Sequence, residues 1–370
     1  MDEIPFSDLQ HPTPPRSPEK THRSKIRIGL LLVPAFLASF VSLSHAADIV
    51  WDGGSRFTTE EWADSVLGFF PSDNWNRNRN PAPDDNLFFA GTRKLANNNN
   101  TTADTRYGGI TFNNGAGSFV LSGNRVILNA AGITNNSTNL QTINLPITVE
   151  GNQTLNAASG SIRLDGVING SGGITKIGTQ SVTLAGANTY TGNTNVNGGS
   201  LVVSNASAVA GSGNVSIHSG ATLTSTVANF NAKALTLAGG NLNLNGTSSG
   251  TVTLAANSSF SMTGGIWSLN LASNTDQIKG SGSGTFSISG GTLDLGGGAI
   301  NYASTYNLLS GFASGSVADL TFTNFDSFHF APSLSNSGVL SFSEVPEPAS
   351  AIAGVAVLAG MLRRRRAATA

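Results

Sequence analysis

Short apolar runs of three or four residues alternate with turns of Gly, Asn and Ser over most of this chain. Residues 172–203 read GGITKIGTQSVTLAGANTYTGNTNVNGGSLVV, with apolar pieces at 174–177, 182–184, 194–196 and 201–203. Each piece is too short to stand as a hairpin by itself, and each turn holds residues that tolerate positive φ. Such a pattern predicts a chain that winds around a long axis, one short strand per side. The same grammar returns at 109–112, 119–121, 126–128, 147–149, 162–164, 215–217, 222–223, 235–237, 242–244, 252–254, 260–262, 267–269, 286–288 and 293–295. Asn241-Leu242-Asn243-Leu244-Asn245 alternates strictly, which directs Leu inward and Asn outward. A turn-then-strand unit recurs at 219–223 (SGATL), 238–242 (AGGNL) and 289–293 (SGGTL). With about 20–25 residues per coil the array makes roughly eight or nine coils, about 40 Å long at about 4.8 Å per stacked strand. Outward Asn and Thr can then form ladders between coils. Periodicity by itself is satisfied by a β-solenoid or a sandwich.

The flanks break this pattern. Residues 48–107 hold Trp51, Trp62 and Trp75, three of the four tryptophans, and charges such as Glu60, Glu61, Arg77, Arg79, Asp84 and Asp85. One helix is expected there, near residues 58–68, capped by Thr58 or Thr59 with acids in its first turn. A solenoid exposes an apolar end and unpaired edges, so its terminal units must differ from the rest. Residues 48–107 therefore read as an N-terminal cap, and the aromatic-rich residues 300–344 (Tyr302, Tyr306, Phe312, Phe322, Phe325, Phe328, Phe330, Phe342) as a C-terminal one. The solenoid occupies 108–299 between them. The sharper alternative for Trp51, Trp62 and Trp75 is an aromatic platform for sugars.

Both termini carry targeting features. Residues 1–25 are polar and Pro-rich; Lys25-Ile26-Arg27, an apolar run over 28–43 and small residues follow. Basic, apolar and small-residue segments in that order define a secretory signal peptide, making 1–47 a leader with cleavage after Ala46 or Ala47. The alternative is an uncleaved anchor. The tail, 345–370, reads Val345-Pro346-Glu347-Pro348, an apolar stretch over 349–362, then Arg363-Arg364-Arg365-Arg366. As a helix that stretch spans about 21 Å, short for a hydrocarbon core of about 30 Å, and the arginines hold its end on the cytoplasmic side.

Two resemblances sharpen this. Gly173-Ile174-Thr175-Lys176, Leu184-Ala185-Gly186-Ala187-Asn188-Thr189-Tyr190-Thr191-Gly192 and Val196-Asn197-Gly198-Gly199-Ser200-Leu201 resemble the autotransporter-associated β-strand repeat. That resemblance implies an all-β fold: a right-handed parallel β-helix with atypical capping segments at both ends. The tail resembles the PEP-CTERM sorting signal of exported bacterial proteins from exopolysaccharide producers. It implies a transient C-terminal membrane span, the export machinery and an exosortase-like membrane protease as partners, and extracellular polysaccharide as surroundings. One good repeat copy and no C-terminal strand pattern of an outer-membrane barrel speak against self-export through its own pore.

Composition narrows the chemistry. Only 11% of residues are charged, against about 25% in ordinary domains, the net charge is −1, and there is no Cys. Nucleic acid has no electrostatic handle here, and disulfides and Cys-based zinc sites are ruled out. No metal site, cofactor site or catalytic constellation is expected. Beyond the leader the histidines are His218 and His329, far apart in the chain. The best catalytic trio is Arg163, Asp165 and Lys176, and Asp84-Asp85-Asn86 offers calcium ligands or, after Pro83, a turn. The reading is a non-enzymatic surface or extracellular-matrix structural protein, exported and processed through its tail. The alternatives are a carbohydrate-binding module and a polysaccharide-degrading β-helix enzyme. Leu184→Ala is expected to cost more stability than Asn188→Ala, unless Asn188 belongs to an Asn ladder.

Overall fold

Each short apolar strand finds its partner one coil away rather than in its neighbour along the chain. Ile162 pairs with Val182, Val182 with Leu201, Leu201 with Leu223 and Leu223 with Leu242, all in parallel. The computed structural model describes residues 46–346, apart from 55–59, 64, 67–69, 72–73, 78, 245, 247, 272–274 and 297–298. Within them, 25 strands join one continuous parallel sheet and no residue is helical. The array is a parallel β-solenoid of about nine turns.

The coil has three sides. One sheet stacks Ile174–Ile177, Thr194–Val196 and their counterparts; a second stacks Ser181–Leu184, Gly199–Val203 and theirs; a third, less regular, stacks residues 126–128 on Ile147–Val149 and Ile168–Asn169. Period-2 alternation decides which side chains enter. In the second sheet Ile162, Val182, Leu201, Leu223, Leu242, Trp267 and Leu293 form one inward column, each fully buried. In the first sheet the inward column runs Ile49, Leu87, Ile110, Ile133, Leu155, Lys176, Val196, Ile217, Leu237, Met262, Ile288, Val317. Full burial of each such aliphatic side chain contributes about 1.5–3 kcal/mol, so the fold is held by end-on stacking.

The Gly-bearing units at 219–223, 238–242 and 289–293 are the corners between the first and second sheets, and each delivers its Leu to the same inward column. The corner at Gly265 makes the chemical need plain. Its φ is +88°, and a Cβ there would lie 1.9 Å from the Gly240 carbonyl of the coil before. Only glycine fits so close to the backbone beneath.

The ladder passes through both flanks. Asp48–Trp51 and Asn86–Phe89 extend the first sheet ahead of residue 108, and Ser314–Val317 and Leu320–Thr323 extend the first and second sheets after residue 299. Among the described strands, antiparallel pairing joins Ser65–Val66 with Phe70–Pro71, and Val339–Glu344 with Tyr306–Asn307 and Phe330–Leu334; a single antiparallel bridge also links Trp51 and Trp75. The helix expected near 58–68 is absent from its described part. Trp62 N–H donates to the Asn98 carbonyl and Ala63 N–H to Asn100 Oδ1, Glu61 bridges Asn98, and Ser65–Val66 is extended. The backbone there bonds to the next strand of the solenoid, and burial of the Trp62 indole under the first coils overrides a capping signal worth only about 1 kcal/mol.

Candidate functional site

Lys176 stands in the middle of an otherwise aliphatic column and is fully buried. Its Nζ donates to the carbonyls of Ile177 (2.7 Å), Gly178 (2.9 Å) and Gly198 (2.8 Å), the last belonging to the next coil. All three ammonium hydrogens thus have acceptors, which is what keeps a buried charge tolerable. Burial nevertheless pulls its pKa down to about 8. The lysine staples two successive turns. It does not meet Arg163 and Asp165, which form an exposed ion pair of 2.8 Å on the outer face of the second sheet. The trio read from the sequence as the best catalytic candidate is not assembled, because alternation points Lys176 inward and the other two outward.

Asp85 is also committed to structure. It is buried, receives two hydrogen bonds from Arg79 (2.7 and 2.8 Å), and accepts from the N–H of Ala82 (2.8 Å) and of Ala47 (3.2 Å). With both oxygens taken by donors it is no calcium ligand; the segment makes the turn, with Asp84 at φ +68°. Ala47 is stitched in further by its carbonyl, which accepts from Asn86 N–H at 3.0 Å, whereas Ala46 is exposed.

Trp51, Trp62 and Trp75 have no exposed surface. Trp75 stands edge-on to both others, at 5.3 Å from Trp51 and 6.0 Å from Trp62, and Phe89 packs against all three. The Trp75 indole N–H donates to the Trp62 carbonyl and that of Trp62 to Asn97 Oδ1. No ring face is available to a sugar, so the platform reading fails: the rings fill the open end of the first coils.

Three other buried polar groups hold the stack, and of these only Asn188 stands out in the sequence, as a turn or ladder residue. Asn188 is buried; its Oδ1 accepts from Ile168 N–H in the coil below (2.8 Å) and its Nδ2 donates to the Ala208 carbonyl of the coil above (2.9 Å). Asp276 is buried and accepts from the N–H groups of Gly250 (2.6 Å) and Asn270 (2.9 Å); burial raises its pKa to about 6. Tyr190, buried with its hydroxyl 2.6 Å from Thr194 Oγ1, is pushed up to about 12. For Tyr190 the only hint in the sequence was its place in the repeat centre. Among the described residues no three His, Cys, Asp or Glu side chains come together as metal ligands.

At the far end, Val345 N–H donates to the His329 carbonyl (2.9 Å), and His329 Nδ1 lies 2.7 Å from Asp326 Oδ2. His329, Phe330, Glu344, Val345 and Pro346 line an open cleft of about 620 Å³. Glu347, Pro348, the apolar stretch 349–362 and Arg363, Arg364, Arg365 and Arg366 lie outside the described residues, as does the leader through residue 45. Among the described residues no helix is long and apolar enough to cross a membrane.

No curated protein matches the chain. Residues 174–203, which carry Lys176, Asn188 and Tyr190, match the passenger-associated-transport-repeat family, in agreement with the autotransporter-associated repeat read from the sequence.

Proposed function

We propose that this protein is a non-enzymatic structural component of the cell surface or extracellular matrix, exported and then processed through its tail. The passenger-type repeat and the parallel solenoid support a surface or passenger-like structural role. One observation carries the reading: the groups that looked reactive in the sequence are either spent on structure or, like Arg163 and Asp165, kept apart from Lys176. Lys176 binds three carbonyls, Asp85 binds Arg79, and the tryptophans seal an end.

In this reading residues 1–47 form the leader, the export machinery carries the chain out, and the segment 349–362 spans the membrane transiently. Arg363 to Arg366 hold it on the cytoplasmic side while an exosortase-like membrane protease cuts near Val345-Pro346-Glu347-Pro348. Proline lacks an amide donor and biases its predecessor away from helix, so the motif stays extended and open to a protease. Fractionation of producing cells with mass-spectrometric sequencing of both termini tests the scheme. Mature protein is expected in the envelope or matrix, without Arg366. Its expected first residue is Asp48 after cleavage at Ala47 or Ala47 after cleavage at Ala46, and in the second case the new α-ammonium group would face Asp85 as a charge-assisted partner. Replacing Arg363–Arg366 with Ser is expected to accumulate unprocessed or misrouted protein. Wild-type protein that retains Arg366 in the inner membrane overturns the sorting reading.

A further inference from the structure

The outer surface of the second sheet is a lattice. Parallel register stacks Ser181, Ser200, Thr222 and Asn241 in one outward column, and Thr183, Val202, Thr224 and Asn243 in a second, two residues farther along each strand. Steps between coils are about 4.8 Å and the columns stand about 7 Å apart. The first column begins at Ser161, whose hydroxyl lies 2.8 Å from that of Ser181, and continues past Ile266 to Thr292 and Thr321, whose hydroxyls are again 2.8 Å apart. At both ends of the column, hydroxyls from successive coils therefore sit within hydrogen-bonding distance along the axis. From Ser181 to Ser268 neither column carries a charge; the second column is bounded by Arg163, paired with Asp165, in the coil before Thr183 and by Asp294 in the coil after Ser268, and the third side bears the Arg106–Glu150 and Arg125–Asp104 ion pairs.

We infer that this face is a binding surface for neutral, extended polysaccharide. The inference rests on the matrix reading above for its setting and on the lattice for its chemistry. The uncharged stretch of this face between those ends has no attraction for an acidic polymer, and it has no charge that must be stripped of water when a neutral one docks. Its small hydroxyl and amide groups offer donors and acceptors at a repeating step, as a chain of hydroxyl-bearing sugars does. An extended glycan laid along the axis meets an equivalent row of partners at every coil, and Ile266, 39% exposed within the first column, gives a sugar ring an apolar seat. Single contacts of this kind are weak, directly or through water. Their number along a rigid rod supplies the affinity through multivalency.

The test is retention of the full-length protein on insoluble β-1,4-glucan and β-1,3-glucan, with alginate as the acidic counterpart. The wild type is expected to bind the neutral polymers and to leave alginate in solution. Thr222→Glu/Thr224→Glu places two carboxylates at outward positions and should lower retention on the neutral polymers about tenfold or more, while Thr148→Glu on the third side leaves it unchanged. Thr222→Ala/Thr224→Ala, which removes hydroxyls without adding charge, is expected to weaken binding in the same direction and covers the case in which the Glu pair melts a coil. Equal retention of the wild type and both double variants, no retention on either neutral glucan, or a preference for alginate overturns the inference. Binding is read in vitro, so it can fail while fractionation still places the protein in the matrix, and the reverse holds as well.

Discussion

Both ends of the solenoid are rich in aromatic residues, yet among the described residues only the first gathers them into a fully buried cluster. At the first end Trp51, Trp62, Trp75, Phe89, Phe112 and Phe119 are all fully buried and touch in an unbroken series of edge-on, tilted and stacked pairs. At the other, Tyr302 stacks on Phe330 at 4.1 Å, Phe312, Phe322, Phe325 and Phe342 are half-buried, and Phe328 is 86% exposed. Rings fill the first end as a plug. The second is covered by an antiparallel hairpin, Phe330–Leu334 with Val339–Glu344, whose outgoing strand leads into the tail. Aromatic density alone therefore does not tell a sealed end from one built to hand on a segment; the partners of each ring do.

Removing the plug should do the most damage. Trp75→Ala takes away the ring that contacts both other indoles and is expected to cost about 3–5 kcal/mol, read as a lower denaturant midpoint. In the coils between the ends, Leu184→Ala is expected to cost about 2–5 kcal/mol, and Asn188→Ala about 1–3 kcal/mol because two backbone groups in neighbouring coils lose their partner inside the core. Asn188 is thus the ladder case that narrows the expected gap between the two substitutions. A negligible effect at Asn188 would mean that its two bonds are replaced by water.

The pH response sharpens the comparison in the later coils. The folded pKa of Asp276 lies near 6, above its ordinary value of about 3.9. The native state then holds more protons than the unfolded state between those values, so this group's contribution falls as pH rises from about 4 to about 6. Stability measured as wild type minus Asp276→Asn should decline across that window; a flat difference would show that Asp276 stays ionised throughout. Smallest of all, Phe328→Ser should change stability by no more than about 0.5 kcal/mol, and a large loss there would mean that the second end is sealed after all.

Much of this was legible in the sequence because period-2 alternation and Gly-rich corners are local signals. The Leu-Asn alternation at 241–244 and the three corner units mark strands where strands occur. Strands that open with polar or small residues were passed over: Gln141–Ile143 and Gln153–Ala157 begin with buried glutamines that donate to backbone carbonyls, Gln141 to Gly117 and Gln153 to Leu128. The TGGIW unit at 263–267 is another corner, disguised by Trp267 in a Leu position. Nothing local could reveal that Lys176 points inward, since its three acceptors are backbone carbonyls, one of them 22 residues away. Nor could spacing show the tryptophans buried, because their burial depends on which end of the stack they close.

Parallel register also has a kinetic meaning. Paired residues are separated by 19 positions at Val182 and Leu201 and by 29 at Leu293 and Phe322, so the interval stays close to one coil however many coils the stack holds. Each added coil therefore pays nearly the same loop-closure entropy, and the coil before it is a finished template. A chain delivered amino end first can close its tryptophan plug and then add coils one at a time, without waiting for its last residue. In the export scheme proposed above, folding on the far side of a pore would make each step back costlier than the last, and the growing solenoid would act as a ratchet on its own passage.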